Sequence, residues 1–281
     1  MNEGGGPGPP RIGGAGAAAA YDAIAANYEE QVRGDAWMRD VLWARYQRLF
    51  RPGERVLDVG CGTGLDAIFL ARRGVAVTGI DVSPAMIARL REQVSSLGLA
   101  DRVEARMLDY AALGDWPGAQ IDGIISAFAG LSTAPDLAPF AADAARLLRP
   151  GGTMLVHLLN RFSLWEWLLL VACGRWSAAR HLGQQRERVF TIGGQPVQHY
   201  LWSQAEAYQR FFARDFTLTR AYSLGVLRPP HTLRRLPAAV ANGLGALEQR
   251  VNGRRPFVNW GRFFVLELAR RDDTATPAPR E

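Results

Sequence analysis

One segment in the first quarter of the chain constrains its fold more than any other. An apolar run over residues 56–59 leads into a turn that contains Gly60, Gly62 and Gly64, and helical spacing follows. Glycine tolerates positive φ and lets the backbone approach a ligand closely. A buried strand that enters a glycine-rich turn and then a helix is typical of open α/β folds that bind nucleotide-like molecules there.

Short apolar runs and helical stretches continue to alternate after this turn. Predicted strands cover 55–59, 76–80, 103–108, 121–126 and 153–159, and predicted helices cover 66–73, 84–97 and 139–148. Ser83 before Pro84 is a good helix start. This strand–helix order predicts a parallel sheet with helices on both faces.

The alternation ends after residue 160. A Trp-rich apolar helix is predicted from 162 to about 182, followed by a hairpin whose strands flank Gly193 and Gly194. The motif Ser203-Gln204-Ala205-Glu206 is a capping box that starts another helix. Two more strands are predicted at 216–227 and 260–268, joined by a helical excursion through 231–250.

These patterns predict the organisation of the whole chain. It comprises a disordered tail (1–20), a core with N-terminal helices (21–160), an inserted cap of an apolar helix and a hairpin (161–202), the C-terminal part of the core sheet (203–271) and a second tail (272–281). The Gly/Pro/Ala-rich composition of the first segment underlies the expectation of disorder there.

The glycine turn does not fit two common nucleotide motifs. The dinucleotide fingerprint requires a glycine three positions after Gly62, where this chain has Leu65. The phosphate-binding loop requires a Lys, and the chain contains none. Asp81 ends the second strand, about where an acid that binds ribose hydroxyls is expected, and Asp109 ends the third.

Together, these motifs carry a resemblance to a known family. They are Asp-Val-Gly-Cys-Gly-Thr-Gly at 58–64, Gly-Ile-Asp-Val-Ser at 79–83, Leu-Asp-Tyr at 108–110 and Leu-Leu-Arg-Pro-Gly-Gly at 147–152. The chain resembles the class I S-adenosylmethionine-dependent methyltransferases that act on small molecules. The resemblance implies a doubly wound, mostly parallel, seven-stranded Rossmann-like sheet with an antiparallel last strand and, here, an inserted α/β cap.

The resemblance also implies roles for individual residues towards S-adenosylmethionine. The three glycines of the turn would wrap its amino-acid part while Asp58 anchors the turn, and Asp81 would accept hydrogen bonds from the ribose. Around the adenine and the sulfonium it implies Val82, Met86, Asp109, Tyr110 and Ser126, and it implies Tyr28, together with Tyr21, as aromatic residues that fold over the cofactor. Simpler roles remain open at this point: Asp58 as a loop cap, Asp81 as a helix cap and Met86 as a core residue.

Catalytic residues are harder to predict because the cofactor already carries an activated methyl group. The protein must mainly align the reactants and exclude water, and it needs a base only if the acceptor loses a proton. His199, Tyr200 and His231 are the candidates, whereas His157 within a strand is expected to be structural. Asp136 lacks the neighbouring carboxylates of a metal-assisted site, so no metal is expected.

The charge distribution bears on the partner. Residues 1–160 carry 15 Arg and 18 acidic residues, whereas 161–281 carry 18 Arg and 9 acidic residues. The basic half is either a solvated surface or faces an anionic partner. We expect a small or lipid-like acceptor and no nucleic acid, and residues 162–176 either pack against the cap and the sheet or form a peripheral membrane contact. The alternatives are methylation of a protein or RNA, and cofactor binding without catalysis.

The location is predicted from what the sequence lacks. Two cysteines cannot form a disulfide framework, and the Gly/Pro/Ala-rich start does not resemble a signal peptide. The apolar stretch 162–173 is too short to span a bilayer. We therefore expect a cytoplasmic protein.

Overall fold

A computed structural model describes residues 15–116, 120–230 and 237–272. Its main element is a seven-stranded sheet with the order β3-β2-β1-β4-β5-β9-β8, beside a separate two-stranded hairpin, β6-β7. The strands are β1 (Arg55–Val59), β2 (Ala76–Asp81), β3 (Val103–Met107), β4 (Ile121–Ser126), β5 (Leu148–Leu159), β6 (Glu187–Ile192), β7 (Gln195–Tyr200), β8 (Phe216–Leu224) and β9 (Phe263–Arg270). β9 runs antiparallel to both of its neighbours, and the other pairings within this sheet are parallel, which confirms the predicted fold class.

Helices cover both faces of this sheet. The α-helices are α1 (Ala15–Asp22), α2 (Tyr28–Val32), α3 (Ala36–Leu49), α4 (Leu65–Ala71), α5 (Pro84–Ser96), α6 (Ala138–Leu147), α7 (Leu164–Ala172), α8 (Trp176–His181), α9 (Gln204–Ala207) and α10 (Ala238–Val251). One apolar cluster joins the sheet to α3, α4 and α5, and a second joins it to α6 on the opposite face. The strand order reverses between β1 and β4, so a crevice opens at their carboxyl ends.

A buried ion pair attaches α3 to α4. Arg39 pairs with Asp66, and the Trp43 Nε1–H donates to the other carboxylate oxygen of Asp66 over 2.8 Å. The Trp43 ring stacks on Phe69 with centroids 4.4 Å apart. These contacts fix the N-terminal helices against the helix that follows the glycine turn.

The segment between β5 and α9 forms the predicted cap, with one helix broken into two. Gly174 has φ +70° and separates α7 from α8, because a positive φ ends a right-handed helix. The tip of the hairpin packs on α1, where a side chain at Gly193 would overlap Ala20 and Ala23. Arg188 on β6 binds Glu166 on α7 over 3.0 Å, so the two parts of the cap hold each other.

The structure corrects several predicted boundaries. Residues 15–20, which were expected in a disordered tail, begin helix α1, and Ala20 is buried. Residues 1–14, 231–236 and 273–281 lie outside the described residues, and with them most of both predicted tails. The motif at 203–206 forms half of a capping box: Ser203 Oγ accepts the Glu206 N–H over 3.3 Å, but the Glu206 carboxylate binds Arg161 and Arg186.

No helix in the described part of the chain is long and apolar enough to cross a membrane.

Glu248 on α10 organises the segment that follows β8. Its carboxylate is buried and accepts the backbone N–H groups of Gly225, Val226, Leu227 and Arg228 over 2.8–3.0 Å. Burial raises the pKa of Glu248, and the four hydrogen bonds act in the opposite direction. A single side chain therefore satisfies four consecutive amides.

Replacing Glu248 by Ala should destabilise the fold by several kcal/mol, because each buried amide left without a partner costs about 1–3 kcal/mol. Urea unfolding followed by circular dichroism measures this change. Gln249→Ala, at an exposed position of the same helix, should change the free energy of unfolding by less than about 0.5 kcal/mol. Equal stability of the two variants would show that these hydrogen bonds do not stabilise the segment.

Candidate functional site

A cavity lies at the carboxyl ends of β1, β2 and β4. Eight of the eleven residues proposed for the cofactor line it: Tyr28, Gly60, Gly62, Asp81, Val82, Met86, Asp109 and Tyr110. Tyr21, Phe128, Leu131 and Thr133 complete much of its wall, and Ala17 on α1 closes one side. The predicted acids at the strand ends thus reach one cavity, as the parallel topology requires.

The turn requires glycine at its three positions for different structural reasons. Gly60, Gly62 and Gly64 have φ of +69°, +55° and +87°, a region that favours glycine. A Cβ on Gly62 would point towards the Tyr28 ring, 3.6 Å away, and so into the cavity. A Cβ on Gly64 would overlap Leu90 of α5, so Gly64 permits helix packing rather than ligand approach.

Asp81 fixes this turn to the end of β2. Its Oδ2 accepts the Gly62 N–H and its Oδ1 accepts the Ser83 N–H, each over 2.9 Å. A carboxylate offers about four acceptor sites in all, so these backbone hydrogen bonds do not use up its capacity to accept from a ligand in the cavity. Burial raises the pKa of Asp81, and the backbone hydrogen bonds partly offset this effect.

Helix α1 closes over the start of α5. The Asp22 carboxylate accepts the Ser83 hydroxyl over 2.5 Å and the Ala85 N–H over 3.0 Å, while Ser83 Oγ caps α5 by accepting the Met86 N–H over 3.1 Å. Ser83 therefore fills the capping role that was left open for Asp81. Met86 is 1% exposed, and it both packs in the core and lines the cavity.

Aromatic hydroxyls line the cavity in their neutral form. Burial raises the pKa of Tyr21, Tyr28 and Tyr110 above the usual value. Tyr110 Oη lies 3.3 Å from Thr133 Oγ1, and Asp109 Oδ1 accepts the Ala111 N–H over 2.9 Å. The wall of the cavity therefore combines hydrogen-bonding groups with aromatic rings.

Three of the proposed cofactor residues do not line the cavity. Asp58 is buried beneath the turn, where burial raises the pKa of its carboxyl well above the usual range and nearby Asp66 adds to the effect. Ser126 is fully buried at the end of β4, and Gly64 packs against α5. These three residues lie outside the wall of the cavity.

The sequence analysis missed the positioning role of His157. The Phe128 N–H donates to His157 Nδ1 over 3.0 Å, and the Ala129 N–H donates to the His157 carbonyl oxygen over 3.0 Å. Phe128 and Ala129 have φ of +51° and +62°, a rare conformation for residues with a side chain. Two bonds from one residue thus hold this strained loop against the cavity, and strain of this kind clusters at functional sites.

The predicted catalytic residues do not reach the first cavity. His199 is buried on β7 with its Nδ1 3.1 Å from the Val197 carbonyl oxygen, and Tyr200 packs beside Trp202. His231 lies outside the described residues. Burial lowers the pKa of His157 to about 3, so its imidazole is neutral. No group of three or more His, Cys, Asp or Glu side chains in the described ranges could hold a metal ion.

A second, larger cavity of about 290 Å³ lies between the cap and the core. The core contributes Met38 and Leu159, and the cap contributes Trp165, Glu166, Leu169, Arg188, Phe190 and Leu201. The His157 ring lies between residues associated with the two cavities. Its centroid is 5.4 Å from that of Phe128, which lines the first cavity, and 4.6 Å from that of Phe263. Arg262, which precedes Phe263 in the chain, lines the second cavity. The cap therefore encloses an apolar space beside the first cavity.

Comparison with known proteins gives a consistent family. Residues 56–152 match a family model described as a methyltransferase domain. The chain is 40% identical over 111 residues to phosphatidylethanolamine N-methyltransferase of Cereibacter sphaeroides, covering 40% of this chain and 52% of that protein. It is 33% identical over 141 residues to demethylmenaquinone methyltransferase of Tropheryma whipplei, covering 48% and 56%. The matches thus span about half the length of these curated relatives.

Solved structures extend the likeness of fold to most of the chain. An S-adenosylmethionine-dependent methyltransferase from Mesorhizobium loti matches with a TM-score of 0.53 at 16% identity, covering 81% of this chain and 97% of that one. The [4+2]-cyclase SpnF matches with a TM-score of 0.54 at 19% identity, covering 83% and 80%. At such identities the likeness concerns the fold alone, which hosts more than one chemistry.

The family model covers the glycine turn, Asp81, Asp109 and the β4–β5 region, which are the elements that build the first cavity. Over residues 56–152 the chain therefore matches a methyltransferase domain, and its fold is that of solved S-adenosylmethionine-dependent methyltransferases.

Proposed function

We propose that this protein transfers a methyl group from S-adenosylmethionine to a small or lipid-like acceptor by in-line displacement. The observation that carries the proposal is the cavity that Asp81 lines while its carboxylate fixes the glycine turn to the end of β2. The acceptor would bind in the second cavity, under the cap. The unpaired cysteines Cys61 and Cys173 agree with a reducing compartment such as the cytoplasm.

The residues of the first cavity fit the chemical groups of this cofactor. The backbone at Gly60 and Gly62 leaves room for its amino-acid part, since a Cβ at Gly62 would fill that space. Asp81 would accept from the ribose hydroxyls, and Asp109 would accept from the adenine amino group. Val82 and Met86 supply apolar contacts for the base. When bound, the cofactor supplies a methyl group on a sulfonium centre.

The protein contributes to the transfer mainly by alignment and by exclusion of water. His157 does not act as a base, because its Nδ1 already accepts the Phe128 N–H and its pKa is about 3. Instead, His157 fixes the backbone of Phe128 through this hydrogen bond. The Arg39 guanidinium lies over the Phe128 ring, 4.3 Å from its centroid. Phe128 would form the wall against which cofactor and acceptor meet.

The acceptor class rests on the apolar walls of the second cavity. Met38, Leu159, Leu201 and Phe190 present hydrocarbon and ring surfaces that suit a lipid-like molecule better than a polar polymer. The curated relatives named for phosphatidylethanolamine, ubiquinone and demethylmenaquinone support this class. We do not propose a nucleic-acid substrate.

We also infer a peripheral membrane contact through residues 162–176. Trp167, Leu168, Leu169 and Trp176 are 36%, 40%, 55% and 63% exposed, on neighbouring helices α7 and α8. Residues 167–186 contain three Arg and no acidic residue, which suits an anionic surface. Trp and Leu at an exposed helical hairpin suit the boundary between headgroups and acyl chains.

Cofactor binding should depend on Asp81. Asp81→Ala removes charge-assisted hydrogen bonds worth about 1.5–3 kcal/mol each, so the affinity for S-adenosylhomocysteine should fall at least about tenfold. Isothermal titration calorimetry measures this change, and circular dichroism checks that the variant is folded. Asp101→Ala, an exposed acid far from the cavity, is the matched control and should bind as the wild type does. Unchanged affinity in folded Asp81→Ala protein would refute the assignment.

Membrane contact should depend on the tryptophans of the cap. Co-sedimentation with phosphatidylglycerol vesicles should weaken at least about tenfold in Trp167→Ser/Trp176→Ser, since each loses an apolar surface worth on the order of 2 kcal/mol. Leu97→Ser/Val240→Ser removes similarly exposed apolar side chains elsewhere and is the control. Neutral phosphatidylcholine vesicles and high salt should both weaken wild-type binding. Equal binding by both double variants would exclude this surface as the contact.

A further inference from the structure

The second cavity combines apolar walls with an excess of positive charge. Arg188, Arg228 and Arg262 line it, against a single lining carboxylate, Glu166, among the described residues. A cavity that holds only a hydrocarbon does not require three guanidinium groups in its wall, because an apolar ligand removes water from these charges without replacing its hydrogen bonds. A purely apolar acceptor therefore does not account for the positive charge of the three arginines at this cavity.

The three guanidinium groups differ in how far they are already neutralised. Arg188 binds Glu166 over 3.0 Å and Gln185 over 2.8 Å. Arg262 Nη1 lies 3.7 Å from Asp35 Oδ2, which is longer than a normal hydrogen-bond distance. Arg228 lies 4.8 Å above the Trp37 ring, and no carboxylate in the described part of the chain forms an ion pair with it. Glu248 fixes the backbone at Arg228, so this cation is held in place.

The apolar and charged residues of the cavity are buried to different extents. Met38, Leu159 and Leu201 are buried, and they belong to an apolar cluster against which Phe128 also packs. Arg188, Arg228 and Arg262 are only half-buried. A molecule in this cavity would therefore direct its apolar part towards the buried side chains and its charged part towards the half-buried arginines.

We propose that the acceptor site takes an amphiphile with an anionic group, a carboxylate or a phosphate, which Arg228 and Arg262 bind while the apolar body lies against Met38 and Leu159. The proposal rests on the proposed function, since it assigns this cavity to the methyl acceptor. Guanidinium groups form paired, charge-assisted hydrogen bonds with both kinds of anion. Arg188 joins them when the ligand competes with Glu166 for its guanidinium.

Two fluorescent probes of nearly equal shape test the proposal. 1-Anilinonaphthalene-8-sulfonate is an apolar aromatic skeleton that carries one negatively charged sulfonate. N-phenyl-1-naphthylamine is the same skeleton without the sulfonate. The wild type should bind the anionic probe at least tenfold more tightly than the neutral one. Equal affinity, or no binding of either probe, would overturn the proposal.

Charge substitutions give effects of opposite sign. Arg228→Gln should weaken the anionic probe at least tenfold and the neutral probe less than twofold. Glu166→Gln removes the competing carboxylate and should tighten the anionic probe several-fold, which damage to the fold would not produce. Arg250→Gln on the exposed side of α10 is the matched control for a lost surface charge. Equal losses for both probes in Arg228→Gln, or weaker anion binding in Glu166→Gln, would contradict the assignment.

Two further measurements separate the alternatives. Displacement of the anionic probe by decanoate and by decyl phosphate distinguishes a carboxylate from a phosphate, and displacement by decanol to the same extent would overturn the proposal. Trp167→Ser/Trp176→Ser should bind the probe as the wild type does. Loss of probe binding in this double variant would instead place the probe on the exposed face of the cap. Arg228→Gln should bind S-adenosylhomocysteine normally, so failure of the anion site is distinguishable from failure of cofactor binding.

Discussion

The Asp81 carboxylate is the point on which the functional end of this protein depends. By accepting the Gly62 and Ser83 amides, it joins the turn after β1 to the turn after β2, and so sets where α4 and α5 begin. Gly62 can meet this carboxylate only with a positive φ, and α5 can approach the turn only because Gly64 leaves space for Leu90. Ser83 then caps α5 and binds Asp22, which brings α1 over the same cavity.

The hairpin of the cap forms part of the wall of the second cavity. Alternate residues of β6 face inward: Arg188 and Phe190 line the second cavity, and Ile192 packs near Tyr21, Tyr28 and Met86 at the first. One strand therefore lines the second cavity and packs against residues that line the first, and its tip rests on α1. His157 stabilises the opposite wall by holding Phe128.

Local patterns predicted the fold and many of the residues that line the first cavity because those features depend on short segments. Period and turn residues placed β1 and β4 at their observed bounds, and parallel order carried Asp81 and Asp109 to one edge. The sequence could not show that Gly64 serves packing or that Asp58 lies beneath the turn, since both depend on neighbours far along the chain. The roles of His157, Glu248 and Arg228 were missed for the same reason: each acts through contacts that bring β4, β5, β8 and α10 together. Helix α1 was missed because its Gly/Ala composition resembles a flexible tail.

The central claim is that this chain moves a methyl group onto an apolar acceptor. Its most direct test is incubation of the purified protein with S-adenosylmethionine labelled in the methyl group and a total lipid extract of the source organism. The account predicts label in an organic-soluble product together with an equal amount of S-adenosylhomocysteine. Label found only in protein or RNA, or cofactor that stays intact while it binds, would contradict it.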